Sequence, residues 1–171
     1  MNSVFLDPAI PRKSEIVDKA LSLIDGWPLP SVVEISESGT CNRKCSFCPR
    51  SAQDFVDVKK FIPSSLIKKL SEELAEVDYK GIVLFSGFVE PLLDKKIYEH
   101  IKTLRGDLPK ARIEMVTNGD VLNLNKLLRL FESGLSTILI SVYDSEEDAV
   151  SFERLCENAR LSADQFVIRH R

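Results

Sequence analysis

Residues 41–48 read CNRKCSFC and place three of the chain's four cysteines at Cys41-x3-Cys45-x2-Cys48. Thiolates are soft ligands that select zinc or iron–sulfur clusters. Structural zinc closes with four ligands. Here the fourth would have to be His100 or His170, and neither is near in sequence. His100 falls among the apolar positions of a helical stretch and reads as a partly buried structural residue; His170 reads as a strand-end residue. A four-iron cluster fits the spacing better: three cysteines leave one iron open to an outside ligand. The remaining Cys156 lies beside Phe152 and Leu155 and reads as a packed, inert thiol.

The elements that must carry this loop are legible around it. The chain has 171 residues, 44% hydrophobic and 29% charged, which is ordinary for one globular domain. A net charge of -3 argues against a general nucleic-acid binder. Residues 41–70 are locally basic, with Arg43, Lys44, Arg50, Lys59, Lys60, Lys68 and Lys69 against Asp54 and Asp57. This reads either as a solvated surface or as a positive field around an anionic cofactor or substrate. No secretory signal and no apolar run of membrane-spanning length is present, so the expected setting is cytoplasmic. Clustered cysteines in such a chain point to metal binding rather than disulfides.

Short apolar runs alternate with helical periodicity. Strands are expected at 31–36, 81–86, 111–117, 136–143 and 165–170. Helices are expected at about 13–25, then at 64–77, 94–106 (closed by Gly106), 123–134 and 145–160. Residues 1–30 form an N-terminal extension and 31–171 one domain. Strand–helix alternation implies parallel βαβ units, either an open doubly wound sheet or part of a (β/α) barrel. A complete eight-stranded barrel needs about 250 residues. The cysteines follow the first strand, at its C-terminal end, where parallel α/β proteins carry their sites.

CNRKCSFC resembles the CxxxCxxC signature of the radical S-adenosylmethionine (radical SAM) enzymes. Three further segments strengthen the resemblance, in family order and each at a strand's C-terminal end. FSGFVEPLLD (85–94) is similar to the family's GGEP segment, VTNGDVLN (116–123) to its TNG loop, and ISVYD (140–144) to its ISLD segment. The resemblance covers roughly residues 30–170. It implies a partial (β/α) barrel of about five parallel strands. It also implies a [4Fe-4S] cluster held by Cys41, Cys45 and Cys48, whose open iron takes the amino and carboxylate groups of S-adenosylmethionine. Phe47 would lie near the adenine. Glu90, with the backbone of Ser86 and Gly87, would receive the methionyl ammonium; Thr117 and Asn118 would face cofactor or substrate; Ser141 would bond to the ribose or carboxylate end. Tyr143 and Arg169 are the candidates for substrate contact. The implied reaction is reductive cleavage of S-adenosylmethionine to a 5'-deoxyadenosyl radical that abstracts hydrogen from a substrate. An electron donor such as flavodoxin or ferredoxin would supply the reducing equivalent.

Two departures stand out. Val89 occupies the place where the family form has glycine before the glutamate. The family core commonly has six strands, whereas five are legible here, so the barrel is expected to stop before the sixth, and the chain reads either as a fragment or as a minimal form whose final strand a partner chain covers. Peptide, nucleotide, lipid and sugar substrates all stay open. So do two rival readings: a non-catalytic iron–sulfur or zinc module, and a truncated domain that binds the cluster without turnover.

Overall fold

The computed structural model describes residues 23–24 and 26–170. In chain order the elements are β1 (Leu23–Ile24), β2 (Trp27–Pro28), β3 (Val32–Ile35), β4 (Ser38–Gly39), β5 (Val58–Phe61), α1 (Ser64–Glu76), β6 (Ile82–Phe85), α2 (Ile97–Asp107), β7 (Arg112–Thr117), α3 (Leu124–Glu132), β8 (Thr137–Val142), α4 (Glu146–Asn158) and β9 (Phe166–His170). Most of the helix expected over 13–25 lies outside the described residues. Its described end differs from expectation: Leu23 and Ile24 pair antiparallel with Pro28 and Trp27 across a turn at Gly26.

Five strands form one parallel sheet in the order β3-β6-β7-β8-β9. The order is strictly sequential. A doubly wound sheet reverses its order at a switch point, whereas a (β/α) barrel adds each strand beside the last, so the topology is that of a partial barrel. With right-handed crossovers, sequential addition puts successive helices on one side of the sheet. They pack accordingly, α1 on α2, α2 on α3 and α3 on α4.

Strand alternation divides the sheet residues into two sets. Val83, Phe85, Ile113, Met115, Ile138 and Ile140 are buried in the helix-facing core. The residues between them, including Leu84, Glu114, Val116, Leu139 and Ser141, occupy the other face. Both faces of the central strands are covered, which is why IVLF of β6 and TILISV of β8 are buried at every position.

The caps fall where short polar residues precede the helical periodicity. Asn123 Oδ1 accepts from Lys126 N (3.0 Å) and Ser145 Oγ from Asp148 N (3.2 Å). The helix expected at 94–106 is displaced. Pro91–Leu93 form a 3-10 turn, and Asp94 Oδ1 accepts from Lys96 N (2.8 Å). The α-helix therefore begins at Ile97, runs through Gly106 and closes at Leu108. The β4–β5 hairpin was not legible in the sequence: β5 is VKKF, exposed at all four positions, with no alternation to mark it.

Candidate active-site cleft

The cysteine loop leaves β3 through the β4 residues and lies across the C-terminal ends of the parallel strands. Cys41, Cys45 and Cys48 are free, half-buried thiols. They line one cleft of about 320 Å³ together with Phe47, Ser86, Gly87, Glu90, Thr117, Asn118, Ser141, Tyr143 and Arg169. All twelve site residues named from the sequence thus meet in one place. Their strands explain why: β6, β7, β8 and β9 each end there, and Ser141 and Arg169 are register partners on adjacent strands.

Glu90 organises the floor. Its side chain is 1% exposed. Oε1 accepts from Thr117 Oγ1 (2.7 Å) and Leu92 N (3.0 Å), and Oε2 from Asn118 N (2.8 Å). The carboxylate therefore fastens the loop after β6 to the loop after β7. Burial pushes its pKa above the usual carboxylate value; the bonds from Asn118 N, Thr117 and Leu92 N oppose that shift. A carboxylate offers about four acceptor positions, so one remains on Oε2.

Gly87 stands at φ +113°, and a Cβ there would come 2.6 Å from Ser36 Oγ. The turn after β6 therefore requires glycine for its conformation, and a side chain there would also have to displace the Ser36 hydroxyl. Val89 is different. Among the described residues only Asp78 and Arg160 are non-glycine residues with positive φ. Val89 thus lies outside the left-handed region that favours glycine, and the residue lines the cleft.

Three residues that sequence reasoning passed over hold the cysteine loop down. The Arg43 guanidinium reaches Asp120 through Nε (2.7 Å) and Nη2 (2.5 Å), and Asp144 through Nη1 (3.0 Å) and Nη2 (2.6 Å). One arginine in the loop thus grips carboxylates beyond the ends of β7 and β8 by planar, multidentate bonds. These bonds hold the Arg43 pKa above its ordinary value and the Asp144 pKa below its own. Asn118 adds a second tie, donating from Nδ2 to Asn42 Oδ1 (2.8 Å) and to Cys41 Sγ (3.7 Å). Phe47 packs at 5.4 Å from the Tyr143 ring. The only signal of the clamp in the sequence was an arginine inside the cysteine motif and aspartates just past two strands.

Arg50 is 5% exposed; it donates to Gly39 O (3.2 Å) and Phe88 O (3.2 Å) and pairs with Asp57. The basic stretch at 41–70 is therefore neither uniformly solvated nor a free positive field. Arg43 and Arg50 are committed internally, and Lys68 and Lys69 pair with Asp107, Glu72 and Glu73. His100 is 1% exposed, more deeply buried than expected, and its ring nitrogens face Glu37 and Ser64. That leaves it unfit to complete a zinc site with the cysteines. Cys156 is fully buried, and burial pushes its thiol up to about 11.

The donor set suits an iron–sulfur cluster. Three thiols line the cleft together, and Cys41 Sγ accepts from Arg43 N (3.4 Å) and Asn118 Nδ2 (3.7 Å), which fix its position. Burial raises the Cys45 thiol, and the Arg43 guanidinium pulls it back down. The same cleft offers backbone, carboxylate and hydroxyl groups able to bind a zwitterionic amino acid.

Comparison with known proteins agrees with this geometry. S-adenosyl-L-methionine-dependent 2-deoxy-scyllo-inosamine dehydrogenase of Niallia circulans is 32% identical over 111 residues, 65% of this chain and 44% of that protein. GTP 3',8-cyclase of Aquifex aeolicus (strain VF5) is 29% identical over 124 residues, 71% of this chain and 38% of that protein. The crystal structure of BtrN in complex with AdoMet and 2-DOIA matches with a TM-score of 0.69 and 25% identity, covering 83% of this chain and 57% of that one. Selenomethionine BtrN in an open conformation matches with a TM-score of 0.65 and 26% identity, covering 83% and 56%. The chain spans about half or less of the length of these proteins. The Radical SAM superfamily model, whose cofactors are a [4Fe-4S] cluster and S-adenosylmethionine, matches residues 35–167, from the end of β3 into β9, and the chain belongs to that superfamily.

Proposed function

We propose that this chain forms the catalytic core of a radical SAM enzyme acting on an unidentified substrate. The observation that carries the reading is the meeting of Cys41, Cys45 and Cys48 with Glu90, Thr117, Asn118 and Ser141 around one cleft at the ends of consecutive parallel strands. Cys41, Cys45 and Cys48 hold the cluster. When bound, the cluster and S-adenosylmethionine supply reductive carbon–sulfur cleavage and a 5'-deoxyadenosyl radical that removes hydrogen from the substrate.

The chain's own residues do the positioning. Arg43 and Asn118 fix the cysteine loop on β7 and β8, so the thiols keep one geometry through turnover. The remaining acceptor position of Glu90 takes the methionyl ammonium in a buried setting, where an ionic hydrogen bond is strong. The backbone of Ser86 and Gly87 adds polar contacts beside it. Ser141, 1% exposed as a residue, serves the ribose or carboxylate end through its hydroxyl, and Phe47 the adenine. Tyr143 and Arg169 line the cleft where a substrate would enter.

An electron donor such as flavodoxin or ferredoxin supplies the reductant. The free thiols support a reducing, cytoplasmic setting, and no helix among the described residues is long and apolar enough to cross a membrane. The edge of β9 left unpaired among the described residues is covered by a partner chain or by further chain of the same protein. The test is anaerobic reconstitution, addition of S-adenosylmethionine and a strong reductant, and chromatography for 5'-deoxyadenosine. Product above that of the Cys41→Ala/Cys45→Ala/Cys48→Ala variant supports the reading. A fully loaded cluster with no product and no cofactor binding by calorimetry overturns it.

A further inference from the structure

Behind the cleft, outside its lining, lies a second polar cluster. Glu37, Asp94 and His100 are 0%, 5% and 1% exposed, and one ligand atom from each lies within 4.8 Å of the others. We propose that Glu37, Asp94 and His100 bind a divalent transition-metal cation that braces the cysteine loop from below.

Charge is the first argument. Two carboxylates are buried side by side, and among the described residues no lysine or arginine pairs with either. A divalent cation neutralises both. Without it, burial and the neighbouring Asp94 push Glu37 up to about 9, so the cluster must hold a proton instead. The second argument is the open atoms. Glu37 Oε2 and Asp94 Oδ2 are buried and accept from no N–H or hydroxyl donor. Such atoms need a partner.

The third argument is the support around the cluster. Ligating residues are oriented by hydrogen bonds through their other atoms. Asp94 Oδ1 accepts from Lys96 N (2.8 Å), leaving Oδ2 to bind. His100 Nε2 faces Ser64 Oγ (2.9 Å), so a cation on Nδ1 leaves Nε2–H to donate to the hydroxyl. Nδ1 now stands 2.5 Å from Glu37 Oε1. Donors on one tetrahedral cation stand about 3.4 Å apart, so this contact opens by roughly 1 Å on binding, or Oε2 binds instead. Two carboxylates and an imidazole suit Zn2+ or Mn2+.

Position gives the site its consequence. Glu37 precedes Cys41 by four residues, and Asp94 follows Glu90 by four. His100 belongs to α2 and Ser64 begins α1. One cation would therefore tie the two loops that carry the cysteines and Glu90 to the helical layer. This site does not depend on the radical chemistry proposed above.

The probe is Zn2+ alone, added to the reconstituted, chelator-treated full chain, with zinc, iron and sulfide measured per chain. About one zinc per chain at full iron loading is expected, with a rise in Tm. Glu37→Gln is the decisive variant. Glutamine reproduces a protonated Glu37 in shape and hydrogen bonding, so this variant folds whether the native group holds a proton or a metal. It should lose the bound zinc and the zinc-dependent rise in Tm while keeping its iron. Ser64→Ala should weaken zinc binding about 10- to 100-fold. If the native chain takes up no more zinc than Glu37→Gln at equal iron loading, the cluster holds a shared proton and the proposal fails.

Discussion

Replacing Glu90 with glutamine separates the loop fastening seen in the structure from the ammonium binding proposed for this carboxylate. The amide oxygen can take the place of Oε1 and keep the bonds from Thr117 Oγ1 and Leu92 N. The amide nitrogen then faces Asn118 N–H, formerly 2.8 Å from Oε2. One bond to a charged acceptor is lost and two donors confront each other, at a cost of about 1.5–3 kcal/mol. Glutamine also removes the burden of a buried charge, which returns part of that cost. The net loss should be about 1–2 kcal/mol, or roughly 2–8 °C in Tm for a chain of this size. The lost partner for an ammonium predicts weaker S-adenosylmethionine binding by about 10- to 150-fold at unchanged iron content.

The pH dependence carries a sign. Burial raises the folded pKa of Glu90 above its unfolded value, so the folded chain holds this proton more tightly. Its contribution to stability is present below the unfolded value and is lost as pH rises through the folded value. Glu90→Gln should flatten that decline. Calorimetry of cofactor binding and thermal unfolding across pH make the measurement. Parental affinity in the variant would leave Glu90 a fastener between loops and refute its role toward the ammonium. An unchanged Tm would refute the fastening role.

Other perturbations read other parts of the site. Gly87→Ala should cost about 1–3 kcal/mol from strain at φ +113° and from the contact with Ser36; adding Ser36→Gly should return only part of this, since the strain persists, and full recovery in thermal unfolding would refute it. Arg43→Lys keeps the charge but not the planar fork, so iron retention should fall, more steeply at low than at high salt; retention equal to the parent would mean the clamp is ornamental. Cys156→Ala should keep full iron and sulfide content, because that thiol is buried in the core; iron loss would assign it a role at the cluster. Light scattering should show self-association of the 171-residue chain through β9, which pairs only with β8 among the described residues; a monodisperse monomer at high concentration would contradict it.

The sheet was legible because its signals are local. ISVY and GIVLF are apolar runs bounded by turn residues, and each matched a strand to within one or two positions. Asn123 and Ser145 cap because a short side chain can reach a backbone N–H two or three residues on, a property of the sequence itself. The twelve residues singled out, most of them through the radical SAM resemblance, line one cleft for a related reason: parallel strands deliver their C-terminal ends to one side, so motifs that follow successive strands converge. What failed to show was whatever depends on a partner far along the chain. Arg43 and Arg50 look like surface charge until the fold brings Asp120, Asp144 and the carbonyls of Gly39 and Phe88 to them. The VKKF strand has no pattern of its own, since β5 exists only as the mate of β4.

The same distinction explains how a loop with so little regular structure can hold a metal cluster. Between β4 and β5 the only helical element is one 3-10 turn, Pro49–Ser51, and the loop's own bonds, such as Cys48 N to Cys45 O (2.9 Å) and Ser51 N to Cys48 O (2.9 Å), close short turns that do not anchor it to the sheet. Fixing each residue of such a loop costs about 1–2 kcal/mol in conformational entropy, and ties to the scaffold must offset that cost. They come from every side: Arg43 to the loops beyond β7 and β8, Arg50 to the loop after β6, Asn118 to Asn42 and Cys41, and Glu90 N to Thr40 O (3.0 Å). Each tie ends on a loop that also offers a cleft residue. Ordering the thiols and ordering the opposite wall are therefore one event. Cofactor binding on that wall should for this reason protect the cluster from loss, by the same coupling free energy with which the cluster strengthens cofactor binding. Iron release to a chelator, timed with and without S-adenosylmethionine, measures that coupling; equal rates would mean the two walls are ordered independently.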